Sequence, residues 1–333
     1  MRAAYYESKG GPSVLRVGEV ADVAPGPGEV RVRIAASAVN PSDTKAREGW
    51  GGASDMPFAR VVPHNDGAGT IEAVGPGVPE TRIGERVWVF EAQRDGRAFG
   101  TAAAFCTVPS RNAVTLPEGV SFEAGASLGV PGMTAHRLVF GGGGVQGRTV
   151  LVQGGAGSVG HLAVQLARWG GARVLATVGS DEQAAVARDC GAAFVANYKT
   201  DDVPARVADW LGAAGAVDLV VDVAFLANLD ANVALLRPNG AIATYSISAD
   251  ADETTQDRPM LWPLVMKGLT VRYTLVYVMP RQAHEDAARD LNAALAEGAL
   301  RPRIARRFPL DEIAAAHRLV GTGGAGGKVV LDI

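Results

Sequence analysis

Three glycines at G-x-G-x-x-G spacing, Gly155-Ala156-Gly157-Ser158-Val159-Gly160, follow directly on the uncharged, β-prone run Thr149–Gln153. Such a run suits a strand buried on both faces of a parallel sheet. Leu162, Val164 and Leu166, with Ala163 and Ala167, then predict a buried helix that Gly170-Gly171 stops, and ARVLATVGS returns as a second strand ending at Ser180. A strand, a glycine turn, a helix and a strand form a dinucleotide-binding unit. The first glycine makes the tight turn, the second admits a pyrophosphate to the backbone, and the third lets helix and strand pack closely. Gly 42 in the composition makes a lone glycine motif weak, so the flanking elements carry the reading. The unpaired amides of the helix start supply the phosphate site.

The second strand ends Thr177-Val178-Gly179-Ser180, with no carboxylate at its tip. An acid there is what binds both ribose hydroxyls of NAD, so its absence favours NADPH over NADH, with Ser180, Tyr198 and Lys199 as partners for the 2′-phosphate. Asp181 and Glu182 follow at once and pull the other way if either faces the ribose.

The 333 residues suggest about two domains, and 47% hydrophobic with 20% charged residues describes a soluble globular chain. A net charge of -3, without a long basic run, excludes general attraction to nucleic acid or anionic membrane. No apolar run approaches the ~20 residues of a membrane span, and MRAAYYESKGG lacks the order of a signal peptide, so a cytoplasmic protein is expected. Cys106 and Cys190 are read as free thiols.

Residues 1–122 read as β-rich, with EVRVRIAASAVN, GAGTIEAVGPGV and ERVWVF as strands between Gly and Pro turns, and imply a barrel-like or partly open β-domain. From 123 to 278 strands alternate with helices, which predicts a doubly wound parallel sheet of the Rossmann type. Expected here are a helix in two parts over EAGASLGVPGMTAHRLVF, helices over Asp181–Cys190, Val203–Leu211 and Asn228–Leu236, and strands over AAFVANY, DLVVDVA, GAIATYSI and LTVRYTLVYV. Residues 279–333, with a helix over Arg281–Glu297 and the strand KVVLDI, read as a return to the first domain.

This order resembles the medium-chain dehydrogenase/reductase superfamily. AVNPSDTKAREG, HNDGAGTIEAVGPGV, the TAH segment, GGAGSVG and AHRLVGTGGAGGKVVLDI are similar to its zinc-independent quinone oxidoreductase branch, the zeta-crystallin-like reductases. The resemblance runs essentially end to end. It implies an α/β fold, a Rossmann domain plus a GroES-like β-barrel-type catalytic domain, and a homodimer that extends the nucleotide sheet through Leu269–Val278. Zinc-dependent relatives carry cysteine ligands at the positions of Asn40 and Val130; with His64 alone matching a ligand, no metal is expected.

The resemblance also implies roles for single residues. Asn40 lies near the nicotinamide, with its amide able to donate to a substrate carbonyl, though an Asn before Pro41 is also ordinary turn chemistry. Ser42 takes the place of a proton-relay hydroxyl or caps a helix. Asp43 and His64 are expected to form a supporting hydrogen bond. Lys45 and Trp50 replace cleft tyrosines of many quinone reductases, Lys45 as a partner for an anionic or carbonyl group, or simply exposed, and Trp50 as a stacking platform or packing residue. Tyr245 is read as narrowing the cleft. Cofactor contacts are assigned to Asn40, Thr134, Gly155, Ala156, Gly157, Ser158, Val159, Gly160, Gly179, Ser180, Tyr198, Lys199 and Ser246. The expected activity is NADPH-dependent reduction of a small-molecule quinone or α,β-unsaturated carbonyl compound, the alternatives being a metal-free alcohol or aldehyde oxidoreductase or a largely non-catalytic NADPH-binding protein.

Overall fold

The computed structural model describes residues 1–50, 55–213, 215–246, 262–323 and 325–333. They divide into two compact units, Met1–Pro131 with Pro302–Ile333, and Gly132–Arg301. These boundaries fall later than the expected 122/123 and 278/279. Specific bonds tie the later segments to the nucleotide unit: His136 Nε2 lies 2.8 Å from Asp290 Oδ2 on the Arg281–Ala296 helix, Trp169 Nε1 donates to Glu297 Oε2, and the Arg301 amide donates to Gln165 Oε1.

The nucleotide unit is built on a six-stranded sheet, all parallel. In spatial order its strands are Phe194–Asn197, Arg173–Val178, Thr149–Val152, Val217–Asp222, Leu236–Thr244 and Thr270–Tyr273. The chain starts in the middle, winds outward, then reverses, so the Thr149–Val152 and Val217–Asp222 strands flank the topological switch point. Leu151, Leu175, Val220 and Ile242 are buried among helix residues such as Val207, Phe225 and Leu229, each large apolar side chain contributing ~1.5–3 kcal/mol.

Two elements differ from expectation. LTVRYTLVYV is a strand only over Thr270–Tyr273 and closes in a 3-10 turn, Val276–Val278; this edge strand pairs on one side only, so its remaining apolar residues gain no second ladder. The helix expected from Asn228 begins earlier, at Phe225, because Asp222 accepts the Ala224 amide and the Asn228 side chain, closing the turn that starts it. The last residue of the expected strand GAIATYSI, Ile247, lies outside the described residues.

The other unit carries a seven-stranded sheet in which Glu29–Val39 is the hub, pairing with Asp66–Val74, Phe105–Pro109 and Lys328–Asp332. Register matters here: Val329 faces Val39 and Asp66 faces Ala38, so Asn40, Lys328 and Asp66 come to one end of three adjacent strands.

In the glycine turn, the left-handed residue is Gly154 (φ 70°), not Gly155, one position before the expected tight turn. Gly155 is needed for packing, since a Cβ there would lie 2.6 Å from the Ala176 Cβ, and at Gly160 it would lie 2.1 Å from the Gly154 carbonyl oxygen. Gly157 is exposed, and its nearest neighbour, the same oxygen, is 3.4 Å away. Gly160→Ala is therefore expected to cost about 1–3 kcal/mol, whereas Gly157→Ala leaves the unfolding midpoint nearly unchanged, as thermal denaturation of the two variants will show.

Candidate functional site

The turn Gly154–Gly160 leads into the helix Gly160–Trp169, whose first amides have no side-chain cap. That end suits an anion, and the absent side chain at Gly157 leaves the backbone open to it. Polar side chains that the sequence reading missed brace the turn from beneath. The Gly154 amide donates to Thr177 Oγ1, Thr177 donates to Gln153 Oε1, Gln153 Nε2 donates to Asn232 Oδ1, and Asn232 Nδ2 donates to the Asp222 carboxylate. Donor and acceptor chemistry gives this chain one direction, ending on an acid able to accept two further bonds. DLVVDVA did not advertise this use of Asp222, because the partners are far apart in sequence.

At the tip of the Arg173–Val178 strand, a Cβ on Gly179 would meet the Tyr198 hydroxyl at 2.6 Å and Lys199 Cε at 3.3 Å. Gly179, Tyr198 and Lys199 thus come together. Ser180 caps the Asp181–Asp189 helix, accepting from the Gln183 amide, while Gln183 Oε1 accepts from the Gly179 amide, a contact the sequence did not suggest. Asp181 and Glu182 are exposed in the first helical turn, where the dipole favours them. Ala156 is buried, and Ser158 and Val159 are half-buried at the helix start. Thr134 is buried within the Gly129–Phe140 helix, at 4% exposure, which offers a cofactor little surface. Tyr245 and Ser246 are half-buried just beyond the Leu236–Thr244 strand, where the Ser246 carbonyl accepts from Thr244 Oγ1.

In the catalytic unit, Asn40 precedes the Pro41–Glu48 helix and is 2% exposed. It is a hydrogen-bonded junction rather than a plain turn residue. Nδ2 donates to Asp66 Oδ2 (2.8 Å), Lys328 Nζ donates to Oδ1, and the backbone amide donates to Asp43 Oδ2. The Val130 amide also donates to Asp66, at 3.0 and 2.9 Å. Positions 40 and 130 therefore converge on one carboxylate. Burial pushes the Asp66 pKa up to about 6 against the pull of Lys328 and lowers that of Lys328 itself. Among the described residues, no three His, Cys, Asp or Glu side chains gather as a metal ligand set. Ser42 lies half-buried in the first turn of that helix, and exposed Lys45 places Nζ 5.9 Å from the centre of the Trp50 ring, itself 51% exposed. Lys45 also lines a pocket of about 300 Å³ with Thr44, Glu48, His317 and Arg318.

The expected Asp43–His64 bond is not formed. Asp43 Oδ1 accepts instead from Asn65 Nδ2, and His64 turns the other way because its backbone is left-handed (φ 80°). His64 Nδ1 lies 2.8 Å from Ser37 Oγ and Nε2 lies 2.8 Å from His317 Nε2, while His317 Nδ1 meets Arg47 Nη1 at 2.8 Å. Arg47 only donates, so His317 Nδ1 accepts and its Nε2–H donates to His64 Nε2. His64 Nδ1–H then donates to Ser37, Ser37 to Thr101, and Thr101 to the Asp66 carbonyl. Both rings are neutral, in opposite tautomers.

Burial, with Lys328 nearby, pushes the His64 pKa down to about 3, and burial, His64 and Arg47 hold His317 well below its ordinary value. Below pH ~6.5 the unfolded chain binds protons that the folded chain refuses. The stabilisation is thus complete above pH ~6.5 and is lost as the pH falls from there toward 3. His64→Gln should flatten the fall in unfolding free energy below that pH by up to about 1.4 kcal/mol per pH unit, measurable by denaturant titration at pH 7, 6 and 5.

The chain matches the alcohol dehydrogenase GroES-like domain over residues 26–118 and the zinc-binding dehydrogenase family over residues 190–331. It is 33% identical over 334 residues to the quinone oxidoreductase of Lama guanicoe, covering 99% of this chain and 97% of that protein. It is 32% identical over 340 residues to the 2-haloacrylate reductase of a Burkholderia species, covering 99% and 98%. Solved structures superpose over the whole chain. The quinone oxidoreductase of Escherichia coli in complex with NADPH gives a TM-score of 0.85 at 25% identity, covering 100% of both chains. A mycobacterial protein, also complexed with NADPH, gives 0.85 at 30% identity with the same coverage. Its glycine turn, GroES-like and Rossmann units and end-to-end likeness make this chain a member of the medium-chain dehydrogenase/reductase superfamily, an oxidoreductase of its zeta-crystallin-like quinone oxidoreductase branch.

Proposed function

We propose that the protein is an NADPH-preferring reductase of quinones or α,β-unsaturated carbonyl compounds that works without a metal in the cytoplasm. The observation that carries the cofactor choice is the strand tip at Gly179. The Tyr198 hydroxyl and Lys199 fold over a residue without a side chain, and no carboxylate occupies that tip. A 2′-phosphate finds a hydroxyl and a cation there, while Ser180 already caps a helix and is the weaker partner. The reductions named for relatives, of quinones and of a 2-haloacrylate, support the electron-poor substrate class. Cys106, buried, and Cys190, half-buried, form no disulfide, which suits a reducing compartment.

When bound, the nicotinamide supplies the hydride. This chain's part is to bind, orient and stabilise charge. Gly157 and the start of the Gly160–Trp169 helix receive the pyrophosphate, and Asn40 donates through Nδ2 to the substrate oxygen as negative charge grows on it. Ser42 or solvent returns the proton; Lys45 and Trp50 shape the substrate's surroundings. A metal has no part in this scheme, because Asn40 and Val130 supply no thiolate where zinc-dependent relatives carry cysteine ligands.

Steady-state oxidation of NADPH with a panel of quinones, enones and aldehydes, in the presence of a chelator, tests the reading. Turnover with quinones or enones supports it; cofactor binding without turnover on the whole panel overturns it. Lys199→Ala should weaken NADPH roughly ten- to hundredfold and hardly change NADH, as expected for loss of a charge-assisted bond of ~1.5–3 kcal/mol. Equal effects on the two cofactors would move the phosphate site elsewhere.

A homodimer belongs to the same proposal. The Thr270–Tyr273 strand ends its sheet, and Tyr273, Leu275, Val278 and, on the helix before it, Trp262, Val265 and Met266 are exposed apolar residues. An uncovered edge and apolar surface favour pairing with a second copy. Light scattering at micromolar concentration is expected to give twice the 34.4 kDa chain mass; Tyr273→Lys should shift it toward the monomer.

A further inference from the structure

Lys328 is a buried ammonium, 2% exposed, in a strand whose other residues are apolar or half-buried. Antiparallel register with Glu29–Val39 brings it to Asn40, where Nζ donates to Oδ1, and Asp66 Oδ2 lies 3.5 Å from the same nitrogen. Asp43, one helical turn into Pro41–Glu48, is the second buried carboxylate near it. Neither amide oxygen nor amide nitrogen of Asn40 has a choice of partner. An ammonium only donates, so it must meet Oδ1; a carboxylate only accepts, so Asp66 must meet Nδ2–H. Exchanging the two ends of the amide would place like against like on both sides, and in a buried site neither mismatch can be relieved by water.

We infer that Lys328 and Asp66 are positioning residues that fix the orientation of the Asn40 amide so that it presents an Nδ2–H, and not Oδ1, to an acceptor oxygen of the substrate, as in a quinone or enone. Asn40 retains one Nδ2 hydrogen beyond the bond to Asp66, while its Oδ1 accepts from Lys328. The ammonium on Oδ1 also draws charge from the amide nitrogen and strengthens that remaining N–H toward an oxygen gaining negative charge. The inference rests on the proposed reductase reading for what Asn40 touches, but the orientation of the amide does not depend on it.

Two measurements separate these. With selective ¹⁵N labelling of asparagine, the Asn40 Nδ2 protons should exchange slowly with solvent and resonate away from those of exposed asparagines, and Lys328→Met should speed the exchange and shift both resonances. Unchanged Asn40 resonances in K328M would overturn the positioning role whether or not the protein turns over. For the reaction, a double-mutant cycle with Asn40→Ala is decisive. K328M is expected to lower kcat by about ten- to hundredfold with NADPH affinity within about twofold of the parent, and to change kcat less than about twofold in the N40A background. Equal losses in both backgrounds would mean that Lys328 acts through structure alone and would sink the proposal. Should K328M fail to fold, Lys328→Gln, which keeps a donor without the charge, carries the same cycle. No turnover by the parent on any substrate would instead refute the reductase reading and leave the resonance test standing.

Discussion

The carboxylate of Asp66 is the point on which the catalytic unit turns. It sits at the start of a central strand, fully buried, and its oxygens receive the Val130 amide and Asn40 Nδ2 with Lys328 alongside. Four segments distant in sequence therefore meet at one acid: the hub strand's end, the Asp66–Val74 strand, the beginning of the Gly129–Phe140 helix and the closing strand. A buried charge without such partners would cost several kcal/mol, so the geometry of the surroundings is dictated by the need to satisfy it. Space enforces the same junction, since a Cβ on Gly129 would lie 2.2 Å from Asp66 Oδ1.

A second polar line runs from the same place. Thr101 donates to the Asp66 carbonyl, and the chain through Ser37, His64 and His317 ends on the Arg47 guanidinium, which also binds the Gly10 carbonyl and Glu48. Each member has its donors and acceptors assigned by the two ends, so the line is ordered as well as buried. The residue that resembles a metal ligand in relatives thus serves to bind the hub strand to the Ile313–Gly321 helix, which carries His317.

In the nucleotide unit the governing constraint is closeness of backbone to backbone. Gly154 turns the chain, Gly155 and Gly160 let helix and strand approach, and Gly157 stays open. The hydrogen-bond line from Gly154 through Gln153 and Asn232 to Asp222 links the turn to the strand across the switch point, so the phosphate loop is held by the sheet beneath it.

By itself the sequence determined the strand–turn–helix–strand unit and the two kinds of unit, because each follows from local periodicity and glycine sterics; the closeness of Tyr198 and Lys199 to Gly179 came from the fold. Partner choice was not legible. Asp43 and His64 looked like a pair, yet a left-handed backbone at His64 sent the ring to Ser37 and His317, and Lys328 gave no local sign that it would reach Asn40. The extent of LTVRYTLVYV was misread for a related reason: β-propensity fills a strand only where a neighbour supplies a ladder, and the sheet ends there. Tertiary structure alone decided these points, since strand register brings residues hundreds of positions apart to one end of a sheet, where burial makes their polar atoms pair with one another.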